Sequence, residues 1–359
     1  MKKVTTLIFV LIISTLSLTG QQITHDSIQS NKSTKDKKAD FTVMPYLSYN
    51  RNLKFMFGAI PMVMYKLDKN DSISAKSISG LSVVYTTNKS HIIAFFNKWY
   101  FKEDNWRGTF FAVTGSFNSQ FFVNGFQISD FYDFATDATI VSAGIQRKII
   151  KKLYGGLTYT YANYKTNFED NIQPSTNTIT NGIELNLLLD TRNAVYYPTS
   201  GAYTQLKFIS YPEWFGNDVK ANKISAEYNT YFSSRNNTDV IAARFSSKIG
   251  LGNIAFEQQE VIGGKDIRGY SEGKFRGDGI IALQGEYRYN FDNKMGLVAF
   301  AGLATIYGAD NADFDWKAYP GGGVGYRYAA FKKVKFNIGL DAALGKEDWG
   351  IYFRIGEAF

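Results

Sequence analysis

Residues 261–289 read VIGGKDIRGYSEGKFRGDGIIALQGEYRY, a glycine-rich, basic loop that runs into an alternating stretch typical of a β-strand. Between two strands of a soluble protein such a loop would be ordinary. In a membrane barrel the same loop must lie outside the barrel or fold into its lumen. The meaning of this stretch therefore depends on whether the rest of the chain forms a barrel.

The N-terminus predicts export. Lys2 and Lys3 precede an apolar run over 7–18, small residues follow, and this layout is that of a secretory signal peptide too short to span a bilayer. The next stretch is polar, lysine-rich and free of aromatic residues, so it predicts a disordered leader. The expected domains are a signal peptide over 1–20, a leader over 21–40 and one barrel domain over 41–359.

Composition favours a membrane barrel over a soluble exported protein. Aromatic residues make up 16% of the chain, with 32 Gly and only 6 Pro, and aromatic girdles at both membrane interfaces are a barrel property. The chain has no Cys, which excludes a disulfide framework and a cysteine-linked lipid anchor. The net charge of +8 is not gathered on one strip, so we expect outer-membrane lipids as partners and no nucleic acid.

Strand patterns recur from Phe41 onward, and helical periodicity is not sustained anywhere. The predicted fold is all-β: a single transmembrane antiparallel barrel of about 16 strands, an even number as bacterial single-chain barrels require. The predicted strands are 41–50, 53–66, 78–87, 90–102, 107–117, 138–149, 153–165, 179–190, 200–210, 222–233, 238–250, 279–291, 294–306, 319–329, 333–344 and 349–359. The gaps 67–77 and 118–137 fit this scheme poorly.

The last strand alternates clearly. Ile351, Phe353, Ile355 and Phe359 fall on one face, and Tyr352, Arg354 and Gly356 on the other. A terminal aromatic residue at the interface suits a strand that closes a barrel. Glu357 interrupts the apolar face, which is tolerable near the lipid headgroups.

Four motifs together resemble the BamA/TamA family, outer-membrane barrels that insert or translocate other proteins. Each motif alone is weak, but they occur in the family's order at the predicted strand positions. They are Ile267-Arg268-Gly269-Tyr270, similar to the family's (V/I)-R-G-(F/Y); Asp190-Thr191-Arg192-Asn193 with Tyr197-Pro198 and Gly201, similar to its D-(T/S)-R-(D/N)…(F/Y)-P-x-x-G turn; Glu286-Tyr287-Arg288-Tyr289; and Phe353-Arg354-Ile355-Gly356-Glu357-Ala358-Phe359.

The resemblance implies that the loop folds back into the lumen, where Arg268 meets acidic residues of the wall. A confined guanidinium is costly unless paired, and its planar fork suits a carboxylate; Glu286 is the first candidate. A second family acid belongs to a (V/F)-x-D-x-G pattern in the next strand, and here Ala301 is expected to stand in its place. Asp341 is a distant substitute, and an exposed loop arginine is the alternative reading. Gly269 and Tyr270 complete the loop motif.

The other motifs help to identify the fold. Asp190, Arg192, Pro198 and Gly201 predict an ordinary capped turn rather than an active site. Phe353, Gly356 and Phe359 form the family's C-terminal strand signal.

Enzymatic readings are weak. The sequence 269–273 matches G-x-S-x-G, but no His follows Ser271, and a lipase around Ser90 and His91 lacks a supporting acid pattern. We expect no enzyme, no cofactor and no metal site. The run 310–315 could hold Ca²⁺ through oxygen ligands, although a solvated loop fits better.

The space between residues 20 and 41 leaves no room for the POTRA modules that family members use as periplasmic receptors. Three functions stay open. The first is assistance with protein insertion or translocation through a weak seam between the first and last strands, with a periplasmic or outer-membrane partner replacing the POTRA domains and unknown clients. The others are a structural or partner-docking barrel, and a passive pore. The predicted location is the outer membrane.

Overall fold

The computed structural model describes residues 39–50, 53–124, 129–169, 174–218, 220–271, 275–291, 294–309, 311–331 and 334–359. Sixteen antiparallel strands close into one barrel, which confirms the predicted all-β fold. The predicted signal peptide and residues 21–38 of the predicted leader lie outside the described residues. Among the described residues, none belongs to a helix of the length and apolarity that a membrane-crossing helix requires.

Strand bounds follow the predicted pattern closely except in the fifth and sixth strands. The strands are β1 Ala39–Asn50, β2 Lys54–Tyr65, β3 Ser77–Thr86, β4 His91–Phe101, β5 Trp106–Asn124, β6 Ser129–Ile150, β7 Leu153–Phe168, β8 Thr176–Asp190, β9 Gly201–Tyr211, β10 Ala221–Ser234, β11 Asp239–Gly252, β12 Glu260–Val261, β13 Arg276–Gly277, β14 Gly279–Asn290, β15 Met295–Tyr307, β16 Tyr319–Ala329, β17 Asn337–Gly345 and β18 Asp348–Ile355. The two-residue strands β12 and β13 pair with each other inside the loop, so β14 is the twelfth barrel strand.

Alternation along each strand separates a lipid face from a lumenal face. On β8, Leu185, Leu187 and Leu189 are exposed on the outside, whereas Asn186 and Asp190 are buried inside. Outward aromatic residues gather at both ends of the barrel, for example the stacked pair Tyr49 and Trp349 at one end and Tyr289 and Phe291 at the other. This is the arrangement expected for a barrel that crosses a bilayer.

The predicted gap 118–137 is wrong, because β5 and β6 are long strands that pair with each other up to Asn124 and Ser129. Along the barrel axis, the paired ends of β5 and β6 extend past the level of the turn between β3 and β4. The inward rings of Phe121 and Phe134 lie 5.9 Å apart and contact residues of other segments, and this packing holds strand structure where the local sequence suggests a loop. The gap 67–77, in contrast, is a real loop between β2 and β3.

The first and last strands meet over a short seam. Among the described residues, β1 and β18 form two pairs, Tyr49 with Ile351 and Asn50 with Gly350, whereas β17 and β18 pair over eight positions from Ile338 to Gly345. Below that contact the β1 edge carries Pro45, which has no N–H to offer to a ladder. The barrel is closed, and its closure is weakest at this seam.

Two apolar clusters fill parts of the barrel interior. One forms where the loop 253–278 packs on the wall of β14 to β16. The other lies beside the seam, where the inward side chains of β1 to β3 meet the β16–β17 turn and the end of β18. Its buried members are Met44, Ile60, Met62, Met64, Ile78, Phe331 and Phe336.

Candidate functional site

The loop between β11 and β14 folds into the lumen, as predicted. Ile262, Ile267 and Tyr270 are at most 1% exposed. They pack against inward residues of the wall, including Ile280 and Ile306. The motif Arg268-Gly269-Tyr270 is thereby carried to the inner surface of β14 to β18.

Arg268 bridges two carboxylates on opposite sides of the loop. Its Nη2 donates to Glu286 Oε1 at 2.6 Å and its Nη1 to Asp341 Oδ2 at 2.8 Å. Both ion-paired side chains and the guanidinium itself are fully buried. The structure therefore brings together all three residues of the expected contact, with Asp341 as a direct partner, and the reading of Arg268 as an exposed loop arginine is wrong.

Three further arginines share the same carboxylates, and sequence reasoning gave them no role. Arg288 donates to Glu286 Oε2 at 2.9 Å, and Arg327 and Arg354 both donate to Asp341. Glu357 accepts from Arg327 at 3.0 Å. We call this set the lumenal cluster; its members are Arg268, Glu286, Arg288, Arg327, Asp341, Arg354 and Glu357. The period-two alternation of β14, β16, β17 and β18 could have identified Arg288, Arg327, Asp341 and Arg354 from the sequence, because it places their side chains on the inward face.

The expected position of the missing family acid needs correction. Ala301 points outward and is exposed, whereas Phe300 points inward and is 7% exposed. The third residue of the pattern that begins at Val298 and ends at Gly302 is Phe300, so the family carboxylate is replaced by this ring. The guanidinium carbon of Arg268 lies 3.4 Å from the centre of the Phe300 ring, a cation–π contact in place of a third ion pair.

Glycines make the close approach of the loop possible. Gly269 has φ +108°, and a Cβ there would come within 2.4 Å of the backbone of Leu344. A Cβ at Gly321 would come within 2.2 Å of the Arg268 carbonyl oxygen, and one at Gly345 within 2.6 Å of the Tyr270 ring. The run Gly321–Gly323 in β16 is thus a sequence signal for this contact that the motif comparison overlooked.

The loop also binds the last strand from inside the barrel. The Gly269 N–H donates to the Tyr352 hydroxyl at 3.0 Å, and that hydroxyl donates to the Tyr270 carbonyl oxygen at 3.0 Å. Ser271 N–H donates to Asp348 Oδ2 at 2.6 Å. Its hydroxyl donates to the other oxygen of the same carboxylate. Ser271 therefore helps to hold the loop against β18.

A second anchor holds the loop near the external mouth. Glu257 accepts hydrogen bonds from Thr166, Thr176 and Thr178 on the long strands β7 and β8. Phe256 packs edge-on against Phe121, Phe134 and Phe168. The guanidinium carbon of Arg276 lies 3.5 Å from the centre of the Phe256 ring. These contacts explain why the long strands extend beyond the membrane.

Charge within the loop is balanced by the neighbouring wall. Asp266 accepts from Arg244 at 3.1 Å, Ser246 at 3.0 Å and Lys248 at 2.8 Å. Burial would raise the pKa of Asp266, but the adjacent Lys248 and Arg244 cations and the Ser246 hydrogen bond hold that pKa below its usual range. Ion pairs between Asp266 of the loop and Arg244 and Lys248 of β11 therefore help to hold the loop against the wall.

The predicted family turn lies at the end of the barrel where β1 begins and β18 ends. Asp190 pairs with Arg192 and, at 2.8 Å, with Arg107 of β5. Pro198 lines the lumen above the turn. Gly201 has φ +89°, and a Cβ there would lie 2.3 Å from the Thr191 carbonyl oxygen. The turn ties β8 and β9 to β5.

The end of the chain differs from the prediction. Gly356 adopts φ +81°, and the residues after it turn into the lumen instead of continuing along the lipid interface. Glu357 therefore joins the lumenal cluster with its side chain 3% exposed, and not the headgroup region. Phe359 packs against Tyr197, Tyr231, Val240 and Ala242, and its carbonyl oxygen accepts from Arg288 at 2.8 Å.

Phe353 also departs from the expected lipid face. Its ring lies edge-on to the Tyr46 ring, with centroids 5.3 Å apart. Phe353 and Ile355 pack against the seam-side cluster of Met44 and its neighbours. Because β18 leaves β1 below Ile351, these side chains fill the space at the seam.

The described residues include no group of three or more His, Cys, Asp or Glu side chains arranged to hold a metal ion. Of the predicted acidic run 310–315, Asp315 accepts from the Ala309 N–H at 2.8 Å, while Asp310 lies outside the described residues. What this site can do chemically is hold a loop by buried, shared ion pairs.

A closed, sixteen-stranded barrel with a loop locked into its lumen defines a class of outer-membrane barrels. The Omp85 superfamily domain matches residues 70–359, and the chain belongs to that superfamily. Such barrels reside in the outer membrane.

Three solved structures share the fold. BamA from Haemophilus ducreyi lacking POTRA domains 1–3 is 15% identical with a TM-score of 0.57, and the match covers 94% of this chain and 76% of that one. CdiB from Acinetobacter baumannii is 12% identical with a TM-score of 0.59, covering 88% and 59%. CdiB from Escherichia coli is 9% identical with a TM-score of 0.62, covering 89% and 63%. The chain thus spans less than two thirds of either CdiB chain, and no curated protein sequence matches it.

Proposed function

We propose that this barrel assists the insertion or translocation of proteins at the outer membrane through the seam between β1 and β18. The observation that carries the proposal is the length of that seam, two residue pairs. Among the described residues, β1 and β18 form no further pairs below these two, so the last strand does not cover that part of the β1 edge. An unpaired edge is a template onto which an incoming strand can add by hydrogen bonding.

The loop determines which strand is free to move. Tyr352 and Asp348 of β18 bond to the loop, and Arg354 of β18 shares Asp341 with Arg268. The last strand is therefore held from the lumen, whereas among the described strands β1 forms ladder pairs along most of its length with β2 alone. Separation at the seam would move β1 away from a fixed β18.

The proposed function requires protein partners and involves no catalysis. We infer further that a periplasmic or outer-membrane protein acts as the receptor that delivers clients to the barrel. The barrel acts without a cofactor and is not an enzyme. Outer-membrane lipids surround its apolar face.

The alternative is a structural barrel that docks a partner without inserting clients. The extensive clamping of the loop favours it, because a rigid barrel could serve as a platform. A passive pore has less support, since the loop occupies the lumen and the Phe256 cluster lies across the external mouth.

The test is depletion of the protein, followed by quantitative proteomics of the outer membrane and medium. We expect the level of at least one client to fall, and Arg268→Ala to reproduce the fall while Arg147→Ala, which changes an exposed arginine outside the lumen, does not. If all outer-membrane and secreted proteins persist at wild-type levels, the insertion proposal fails. Affinity purification of the wild-type barrel from native membranes then tests the alternative, which requires a stoichiometric partner.

A further inference from the structure

A cavity of about 590 Å³ lies inside the barrel between the loop and the β8–β9 turn. This volume is within the range of roughly 300–1,000 Å³ that small-molecule sites occupy. Ile78, Phe96, Phe336 and Ile355 line one side of it, and polar side chains from β6 to β10 line the other. The cavity is therefore amphipathic, which is unusual for the interior of a membrane barrel, where polar walls are the rule.

The polar side carries an excess of positive charge. Lys207 pairs with Glu184 at 3.1 Å, Lys265 with Glu227 at 3.4 Å, and Arg192 with Asp190 at 2.8 Å. Lys98 lines the same cavity, and within the described part of the chain no carboxylate lies within ion-pairing distance of it. Lys98 is exposed to the lumen and has no counter-ion among the described residues, so its ammonium group is available to donate charge-assisted hydrogen bonds to an anion.

Lys98 lies where the two walls meet. On β4 it is directly opposite Ile78 of β3 on one side and Thr109 of β5 on the other, and Phe96 precedes it on the same inward face. An anion bound to Lys98 would therefore have apolar surface within reach. This placement selects an amphiphile over a free inorganic ion.

The apolar wall also continues to the seam between β1 and β18. Ile78 and Phe96 belong to the cluster formed with Met44, Met62 and Met64 on the inner face of β1 and β2. Methionine side chains adapt to irregular apolar ligands. This face ends at the seam, where two residue pairs separate the lumen from lipid.

We propose that this cavity binds a single-chain anionic lipid, with its carboxylate or phosphate on Lys98 and its acyl chain against Ile78 and Phe96. The membrane is the source of the ligand. The site is separate from client insertion: a wild-type barrel that binds neither lipid probe would remove this proposal and leave the proposed function intact, whereas loss of binding in Lys98→Met with unchanged client levels would support it.

Binding is measured on the full-length barrel in detergent micelles with oleate and, separately, lysophosphatidylglycerol as probes, by native mass spectrometry and equilibrium dialysis. We expect one molecule of either probe per chain. Lys98→Met should weaken that binding by about tenfold, the loss expected for one charge-assisted hydrogen bond, and Lys98→Arg should retain it. Lys165→Met, at an exposed lysine on the outer wall, is the matched control.

The two probes identify the source of the anion: preference for oleate indicates a fatty acid, and preference for lysophosphatidylglycerol a lysophospholipid. Equal binding of oleate and oleyl alcohol to the wild-type barrel would overturn the proposal without need of any variant, because charge would not be recognised. Saturation by inorganic phosphate with no binding of either lipid would overturn it as well. So would an equal loss in the Lys98→Met and Lys165→Met variants, each checked for folding by heat-modifiable gel mobility.

Discussion

At the scale of single residues, the lumenal cluster shows how a buried arginine is tolerated. Four guanidinium groups share the three carboxylates of Glu286, Asp341 and Glu357. Glu286 accepts from two arginines and Asp341 from three, so removing either acid leaves several buried cations without a partner at once. The Phe300 ring covers the remaining face of Arg268.

This sharing predicts a specific rescue. Asp341→Asn should destabilise the barrel by about 3–5 kcal/mol, the usual cost of breaking a buried pair. Adding Phe300→Asp should recover a large part of that loss, because the new carboxylate would lie beside Arg268. Guanidinium-induced unfolding in lipid vesicles measures both changes, with the exposed Asp137→Asn as the control.

A double variant no more stable than Asp341→Asn alone would contradict the assignment of Phe300 to the acidic position. Under the original expectation, Ala301→Asp should be the better rescue. We expect that change to be destabilising instead, since it places a charge on the outward face.

At the scale of elements, the β2–β3 loop is clamped onto the β4–β5 turn. Asp71 accepts from the N–H groups of Ile73, Ser74 and Glu103. In the β4–β5 turn, Lys102, Glu103 and Asp104 have φ angles of 54°, 57° and 57°. This left-handed conformation is unfavourable for residues other than glycine. One carboxylate thus orders a loop and stabilises a strained turn.

The clamp should be acid-sensitive. Burial alone would raise the pKa of Asp71, but the hydrogen bonds from Ser74, Glu103 and Ile73 outweigh it and lower the pKa to about 2. The unfolded value is about 3.9. The stabilisation is therefore complete above about pH 4 and lost as the pH falls towards 2.

The measurement is amide exchange of Ile73, Ser74 and Glu103 by NMR, corrected for the intrinsic pH dependence of exchange. Protection should fall between about pH 4 and pH 2 in the wild type and be low at every pH in Asp71→Asn. Protection that persists unchanged at pH 2 would show that the carboxylate does not hold the loop.

The seam is the second element with a testable geometry, and the absence of Cys makes paired cysteine variants straightforward. Tyr49→Cys with Ile351→Cys should oxidise readily, because these residues are opposite each other and disulfides require Cα atoms about 4.4–6.8 Å apart. If the ladder continued, Pro45 would face Ile355. The pair Pro45→Cys with Ile355→Cys should stay reduced, since β18 has left β1 at that level.

Gel mobility after mild oxidation distinguishes the two pairs, and reduction restores the starting pattern. Efficient cross-linking of the lower pair in resting membranes would mean that β1 and β18 zip along their full length. In that case the edge on which the proposed function depends would be absent.

At the scale of the whole molecule, the barrel is filled rather than open. The loop between β11 and β14 lies against the inner wall of β14 to β18. At the end of the barrel where β1 begins, the β8–β9 and β16–β17 turns extend into the lumen. There Tyr196 donates a hydrogen bond to the Lys76 carbonyl oxygen, and its ring lies edge-on to that of Phe336. A barrel of sixteen strands without such contents would leave an aqueous channel.

Conductance in a planar bilayer tests this closure. The wild-type barrel should conduct weakly, and replacement of residues 256–276 by a short Gly-Ser linker should raise the single-channel conductance several-fold. Shortening the β9–β10 loop over 213–216, whose Trp214 is 79% exposed, is the control. A large open conductance in the wild type would restore the passive pore as a function.

The sequence by itself determined the barrel, the strand number, Glu286 as a candidate partner of Arg268, and the turn that begins at Asp190. These features follow from period-two alternation and from short motifs, which are local properties of a chain. Glu286 was identified as the first candidate partner of Arg268 through the resemblance to the BamA/TamA family, which implies that the loop arginine meets acidic residues of the wall.

Only the tertiary structure decided that Glu357 lies in the lumen and that β5 and β6 extend past the predicted loop. It also decided that Asp341, 73 residues from Arg268, is a direct partner. The physical reason is common to these cases. Inward direction, strand pairing and the turn at Gly356 depend on register and packing between segments far apart in the chain, which a local pattern does not encode.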